Sequence, residues 1–270
     1  MLRPLTRVAG ASEELAQGGL GTRLPVEDDN DLARLVDSFN RMADSLQARI
    51  EREARFASDV SHELRTPLAA LTASSEVLAG RRDELPERSQ KALDILLRQL
   101  RRFDRMVLDL LEISRIDAGA GDLHLESIPI GRFLERVVSG AGYGDIPVTV
   151  ADTISTVVVD RRRFERIVVN LLENARVHGG GATAISVEDR AGHVELRVDD
   201  RGTGVPVVDR QRIFERFARG TGGKFNQGSG LGLAIVAEHI NTLGGMVHVE
   251  DGPNGVGARF IVTLPKREEE

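Results

Sequence analysis

A histidine, a glutamate and a threonine in one helical stretch could carry out nucleophilic chemistry. The stretch reads Ser-His-Glu-Leu-Arg-Thr-Pro-Leu over residues 61–68. Its apolar residues recur at helical spacing, which turns His62 about 200° away from them and toward solvent, with Thr66 on the same face. A neutral imidazole is a competent nucleophile, and the adjacent carboxylate of Glu63 can accept the other ring N–H. A lone exposed histidine is also often simply solvated, so the residues alone leave both interpretations open.

A polar stripe on a second helix is suited to hold a metal ion or phosphate. Asn170, Asn174 and His178 recur at four-residue spacing on a helix predicted over 160–178, beside its apolar face. Amide side chains at the rim of a packed face can coordinate Mg²⁺ or donate to phosphate oxygens without carrying charge. The same spacing is also typical of an ordinary solvated helix edge.

Two glycine-containing segments further along the chain could bring backbone close to a ligand. Asp200 begins the first, Asp-Arg-Gly-Thr-Gly, and Gly202 and Gly204 permit close approach there. The second runs over residues 228–233 and opens a helix, where alternating glycines expose backbone N–H groups to an anion. Its candidate binding residues are Gly228, Gly230, Leu231 and Gly232. A polar stretch, not a strand, precedes them, which argues against a dinucleotide fingerprint, and the sequence contains no P-loop motif.

The composition excludes several classes of protein. The 270 residues carry a net charge of −6, which argues against a nucleic-acid binder. The sequence has no cysteine, so it can form neither a disulfide framework nor a thiolate metal site. It contains no apolar run long enough to span a bilayer and no signal peptide. The chain as given is therefore expected to be soluble.

The positioning elements in the first half are predicted to be long helices. Two short helices around a connector fill residues 1–50, and the second has a heptad pattern that continues without a break into a histidine helix at about 50–79. A turn at 80–86 leads to a further helix that ends near residue 118. Two antiparallel helices with one apolar stripe each cannot close a core, so we expect a homodimer with a four-helix bundle.

From about residue 123 the apolar pattern changes to shorter segments of mixed strands and helices, which predict a two-layer α/β sandwich. Besides the helix over 160–178, a second helix is predicted near 230–243, and residues 205–228 are expected to form a mobile lid. The predicted strands lie near 123–125, 148–150, 157–159, 183–188, 193–199, 246–250 and 257–264.

Taken together in this order, the motifs resemble those of a sensor histidine kinase of a bacterial two-component system. The 61–68 stretch matches the phosphoacceptor box of that family, Asn-Leu-Leu-Glu-Asn-Ala over 170–175 its N box, and the two glycine segments its G boxes. Ile213–Phe217 resembles the F box. The resemblance implies four segments: a HAMP signal-relay module at 1–50, a dimerisation and phosphotransfer domain at 51–118, an ATP-binding domain of Bergerat (GHKL) fold at 123–266 and a charged tail at 267–270.

By this resemblance each candidate residue acquires a role. His62 would attack the γ-phosphate of ATP, Glu63 would hold its tautomer and accept its proton, and Thr66 would orient a water in a phosphatase reaction. Asn170 would bind Mg²⁺ with Glu173 orienting a metal-bound water, Asn174 would reach the phosphates, and Asp200 would read the amine of adenine. Arg216, Arg219 or Lys224 would meet the triphosphate. Val177 stands where the family often has a basic residue, with Arg176 one place earlier.

The resemblance also implies partners. An aspartate on a response regulator receiver domain would take the phosphoryl group, and the chain would be the cytoplasmic part of a membrane receptor whose N-terminal sensor is missing. HAMP rearrangement, a bend at Pro67 and a hinge at 118–124 would set the distance from ATP to His62. Two alternatives use the same ATP fold: a serine kinase or ATP-driven clamp, which lacks the His-Glu box, and a degenerate kinase that acts as a dimeric binding module.

Overall fold

The computed structural model describes residues 3–16, 19, 21–25, 30–117, 123–140, 142–143, 146–218 and 229–267. The helices are α1 (Arg3–Ala16), α2 (Asn30–Ala79), α3 (Glu87–Asp117), α4 (Ile130–Gly140), α5 (Arg161–His178) and α6 (Gly232–Thr242). The strands are β1 (Leu125–Pro129), β2 (Val148–Val150), β3 (Thr156–Asp160), β4 (Ala182–Arg190), β5 (His193–Asp200), β6 (Met246–Asp251) and β7 (Ala258–Pro265).

The chain forms two compact units. The first comprises Met1–Leu93 and Leu110–Gly121, and the second comprises Asp94–Asp109 and Asp122–Glu270. The middle of α3 therefore belongs to the second unit. Within the described residues, no helix is both long and apolar enough to cross a bilayer.

Helix α2 confirms the predicted continuity of the heptad pattern. It runs for 50 residues without interruption and contains Pro67 in its interior. Proline has no N–H to donate to the carbonyl of Glu63, so one hydrogen bond of the helix is missing there. The helix is nevertheless unbroken, and the bend at Pro67 stays a prediction.

A small core joins α1, the connector and the start of α2. Its buried residues are Ala11, Leu15, Leu24, Val36, Phe39 and Ala43. Leu35 and Met42 belong to the heptad stripe that is expected to face a partner chain, and they are 40% and 54% exposed. The intrachain contact instead uses Val36 and Ala43 beside Phe39, because α1 and the connector pack on a neighbouring side of the helix.

Asn40 clamps the connector from the side of α2. Its Oδ1 accepts a hydrogen bond from the Leu24 backbone N–H at 3.0 Å, and its Nδ2 donates to the Leu24 carbonyl at 3.0 Å. Both backbone groups of one connector residue are thereby satisfied by a single side chain, which fixes the non-helical segment against the helix.

The second unit is the α/β sandwich that the sequence predicts. Its main sheet has the order β2-β4-β5-β7-β6, in which β2 is parallel to β4 and the other neighbours are antiparallel. Strands β1 and β3 form a separate antiparallel pair. Alternate residues of the central strands, such as Val194, Leu196 and Val198 on β5, are buried in the core that the helices also line.

Two features of this unit differ from the sequence prediction. Helix α4 was not predicted, although its buried residues recur at helical spacing: Ile130, Phe133, Leu134, Val137 and Val138. Strand β1 begins at Leu125, two residues later than the predicted strand, because its register is set by antiparallel pairing with β3, with Leu125 opposite Asp160.

The Asn40 clamp predicts a local loss of protection in an Asn40→Ala variant. Removing both hydrogen bonds to Leu24 should destabilise the first core by about 1–3 kcal/mol and accelerate amide exchange at Leu24. A Gln47→Ala variant, which removes an exposed hydrogen bond from Arg23, should change stability by less than about 0.5 kcal/mol. Hydrogen exchange with mass spectrometry measures the difference. Equal exchange of the connector in both variants would contradict the clamp.

Candidate functional site

A cavity of about 840 Å³ lies in the second unit. This volume is within the range of small-molecule pockets. Predicted site residues from separate segments line it together: Asn170, Asn174, His178, Asp200, Gly202, Gly204, Gly230 and Gly232. The fold therefore brings the polar stripe and both glycine segments to one place.

Helix α5 positions the polar stripe. Asp160 caps the helix, since its Oδ1 accepts a hydrogen bond from the Arg163 backbone N–H at 3.0 Å. The apolar side of α5 is fully buried against the sheet, while Asn170, Asn174 and His178 are each half-buried at the cavity wall. A helix with a buried face beside a half-buried polar face gives these side chains fixed directions.

Asp200 is held rigidly at the end of β5. It is 6% exposed, and its Oδ1 accepts hydrogen bonds from the backbone N–H groups of Gly202 and Ala258, both at 2.9 Å. Two backbone donors satisfy one carboxylate oxygen and fix the plane of the group. No other described residue donates to Oδ2, so this oxygen can accept from a ligand.

Two glycines that the sequence analysis did not select make room for Asp200. A Cβ on Gly179 would lie 2.4 Å from the Asp200 Cγ, and one on Gly257 would lie 2.0 Å from the Asp200 carbonyl oxygen. Gly257 also has a positive φ of 77°, a conformation that favours glycine. The signal that could have revealed them is the Gly-Gly-Gly run after His178 and the Gly-Val-Gly before β7.

The second glycine segment lies against the polar stripe. A Cβ on Gly232 would come within 3.2 Å of the Asn170 Oδ1, and Gly230 has a φ of 73°. The Phe217 backbone N–H donates to the Gly230 carbonyl at 2.9 Å and so ties the described part of the predicted lid to the segment before α6. The side chain of Leu231 is fully buried, so only its backbone is placed to meet a ligand. Gly228, Arg219 and Lys224 lie outside the described residues.

The Glu173 carboxylate at the cavity wall is already engaged by three side chains. It accepts hydrogen bonds from Arg176 at 2.6 and 2.9 Å, from the Tyr143 hydroxyl at 2.9 Å and from Arg105 at 2.8 Å. Burial opposes ionisation, but the hydrogen bonds from Arg176 and Tyr143 and the charges of both arginines lower the pKa of Glu173. Burial and the hydrogen bond to this carboxylate raise the pKa of Tyr143 to about 12.

The basic residues are not all where the resemblance placed them. Arg216 was expected to meet a triphosphate, but its Nη2 donates to Glu238 on α6 at 2.8 Å and it is not part of the cavity wall. Arg176 turns to Glu173, while Val177 lines the cavity in place of a basic side chain. Two cations of α3 that sequence reasoning missed, Arg102 and Arg105, also line it.

The phosphoacceptor stretch lies in the middle of α2. Glu63 and Thr66 are exposed on this helix, and the sequence predicts this exposure for Thr66. The backbone of His62 is helical, whereas its side chain lies outside the described part of the chain.

Three family models match the chain in order. Residues 1–48 match the HAMP domain, residues 52–119 the His Kinase A (phospho-acceptor) domain, and residues 159–268 the histidine kinase-, DNA gyrase B-, and HSP90-like ATPase. Together they account for most of the sequence.

Curated relatives are similar to nearly the whole of this chain. The signal transduction histidine-protein kinase/phosphatase MprB of Mycolicibacterium paratuberculosis is 37% identical over 98% of this chain and 53% of its own length. The signal transduction histidine-protein kinase AfsQ2 of Streptomyces coelicolor is 32% identical over 98% of this chain and 53% of its own length. The chain thus spans about half the length of these relatives.

Solved structures of histidine kinases are similar as well. Full-length ShkA in complex with AMPPNP is 29% identical, with a TM-score of 0.63 over 80% of this chain and 46% of its own. Histidine kinase AdeS of Acinetobacter baumannii is 25% identical, with a TM-score of 0.50 over 77% of this chain and 98% of its own.

The close approach of Gly257 to Asp200 predicts a large cost for a Gly257→Ala substitution. Gly255 is the matched control, because it also has a positive φ but has open space where a Cβ would lie. Gly255→Ala should cost only the left-handed strain of about 1–2 kcal/mol. Gly257→Ala should cost about 1–3 kcal/mol more, because its Cβ must displace backbone. Urea denaturation measures both, and equal losses would refute the tight fit.

The burial of His178 predicts a pH-dependent stability. Burial lowers the pKa of His178 below its ordinary 6.5, and the charges of Asp200 and Glu173 only partly oppose this. Below about pH 6.5 the unfolded chain therefore binds more protons than the folded chain. The free energy of unfolding falls as the pH drops from about 6.5 toward the lower pKa of the folded state. His178→Gln should flatten the profile as the pH drops below about 6.5. Urea titrations at each pH test this, and a slope unchanged by His178→Gln would refute it.

Proposed function

Because the chain belongs to the sensor histidine kinases of bacterial two-component systems, we propose that it is an ATP-dependent protein-histidine kinase. It autophosphorylates His62 and passes the phosphoryl group to an aspartate on the receiver domain of a response regulator. The observation that carries this proposal is the convergence of separate sequence segments on one nucleotide-sized cavity, in a chain that also contains the phosphoacceptor stretch. In this proposal the chain consists of the relay module at 1–50, the phosphotransfer domain at 51–118 and the ATP-binding domain at 123–266.

The adenine of ATP binds at the Asp200 end of the cavity. Two backbone N–H groups hold Oδ1 of Asp200, which leaves Oδ2 to accept a hydrogen bond from the exocyclic amine of the base. Gly202 and Gly204 let backbone lie against the ring. The triphosphate extends toward the start of α6, where Gly230, Leu231 and Gly232 present backbone N–H groups and the helix dipole attracts an anion.

Asn170 fits a magnesium ion that accompanies the nucleotide. Its Nδ2 donates to the Arg166 carbonyl at 3.0 Å, which leaves Oδ1 as the oxygen available to a cation. In the described residues no group of three or more histidine, aspartate or glutamate side chains could hold a metal. Phosphate oxygens and water would therefore supply the other ligands, as is usual for nucleotide-bound Mg²⁺. The ion would neutralise charge that develops on the phosphates, and Asn174 would bind phosphate beside it.

Phosphoryl transfer follows from the chemistry of the phosphoacceptor stretch. A ring nitrogen of His62 forms a bond to the γ-phosphorus while the bond to the oxygen of ADP breaks, and Glu63 accepts the proton from the other ring nitrogen. Most of the rate enhancement comes from positioning and charge stabilisation. The relative MprB is named a kinase/phosphatase, which supports a phosphatase reaction on the regulator with Thr66 orienting the attacking water.

A homodimer is supported by apolar side chains that the chain leaves uncovered on its long helices. They recur along α2 and α3 at coiled-coil spacing, and a helix with such a stripe requires a partner. Those on α2 include Leu35, Met42, Leu46, Phe56, Leu71 and Leu78, and those on α3 include Ile95, Leu96, Phe103 and Leu110. A second copy of the chain supplies matching stripes and completes a four-helix bundle.

The proposal predicts incorporation of label from γ-labelled ATP and Mg²⁺ into the wild-type chain. The label should be acid-labile and base-stable, as expected of a phosphoramidate, and absent from a His62→Gln variant. Nucleotide affinity of the variant should equal that of the wild type, because the substitution removes the proposed nucleophile and none of the residues proposed to bind ATP. Persistent label in His62→Gln would show that another residue is the phosphoacceptor. Binding without labelling in either protein would favour the binding-module alternative.

A further inference from the structure

The middle of α3 forms one wall of the nucleotide cavity. Arg102, Arg105, Leu108 and Asp109 line it, and all four belong to the same compact unit as the ATP-binding fold. The cations of this helix would attract a triphosphate in the cavity, and its carboxylate would repel one.

Asp109 is the most deeply buried charged group of this wall. It is 9% exposed, and its Oδ1 accepts a hydrogen bond from the Arg166 guanidinium at 2.9 Å. Its Oδ2 accepts a hydrogen bond from the Ser229 hydroxyl at 3.0 Å. A buried carboxylate is stabilised by such pairing, so this contact is specific and not an incidental approach of two surfaces.

The contact reaches the anion-binding end of the cavity through Ser229. The Ser229 Oγ accepts a hydrogen bond from the Leu231 backbone N–H at 3.2 Å while its own hydroxyl is donated to Asp109. Leu231 directly precedes the first residue of α6, where no side chain caps the helix. Asp109 thus holds the Ser229 hydroxyl against the Leu231 backbone N–H, which is one of the donors that the triphosphate would use.

A second contact ties the same helix to α5. The Arg105 Nη1 donates to the Glu173 Oε1 at 2.8 Å, so this cation is directed to a carboxylate of the wall. The positive charge of Arg105 is therefore paired, and Asp109 adds negative charge next to the glycine loop. Like charges at short distance in a partly buried site repel strongly.

We propose that α3, through Asp109, is an internal competitor of the nucleotide phosphates. The Asp109 carboxylate holds Ser229 and the start of α6 in an arrangement that ATP must displace, so docking of this helix segment and nucleotide binding oppose each other. By linkage, each weakens the other by the same factor. The contact lowers the apparent affinity for ATP until a rearrangement of α3 releases it. This inference rests on the proposed ATP site.

Nucleotide affinity of an Asp109→Ala variant tests the competition. The variant should bind a fluorescent, non-hydrolysable ATP analogue with Mg²⁺ at least about fivefold more tightly than the wild type, which is the low end of typical coupling between sites. Asp104→Ala is the matched control, because it removes the same charge from the same helix at a residue outside the cavity wall. It should bind as the wild type does.

Nucleotide affinity of an Asp109→Asn variant provides a second test in case Asp109→Ala folds poorly. The variant keeps the size of the side chain and removes its charge, and it should also bind more tightly than Asp104→Ala. Wild-type affinity, or weaker binding, in both Asp109 variants would overturn the competition while leaving the ATP site in place. Absence of binding in every protein, the wild type included, would overturn the proposed function and this inference with it.

Discussion

The nucleotide cavity depends on one buried carboxylate, Asp200, which has room only because glycines flank it on two sides. Asp200 fits only because Gly179 at the end of α5 and Gly257 before β7 carry no Cβ, and it is held because Gly202 and Ala258 donate their backbone N–H groups to it. A helix end, a strand end and a hairpin therefore meet at a single group. This end of the cavity is built from backbone and is rigid for that reason.

A second part of the cavity wall is built from charged side chains. Glu173 is shared among three donors, and Asp109 is shared between Arg166 and Ser229. The two parts thus differ in what holds them, since backbone donors fix Asp200 whereas side chains hold Glu173 and Asp109.

The sequence predicted features that depend on local periodicity. The polar stripe of α5, the strands of the sandwich and the continuous α2 follow from spacing alone, and the stripe lies at the cavity as expected. Contacts that join distant segments could not be read in this way, because neither Tyr143 nor Arg105 stands at a position that local spacing singles out beside Glu173. Helix α4 is different, since its spacing was legible in the sequence.

Helix α2 has a mechanical consequence for the chain. At 1.5 Å per residue, its 50 residues form a rod about 75 Å long, which carries both Asn40, which clamps the connector, and the stretch around His62. Such a rod resists compression and twisting because every turn is braced by hydrogen bonds. Pro67 removes one of these hydrogen bonds just beyond His62, which lowers the resistance of the helix to bending at that turn. The helix can therefore carry a rotation along its axis past the turn at which it bends most easily.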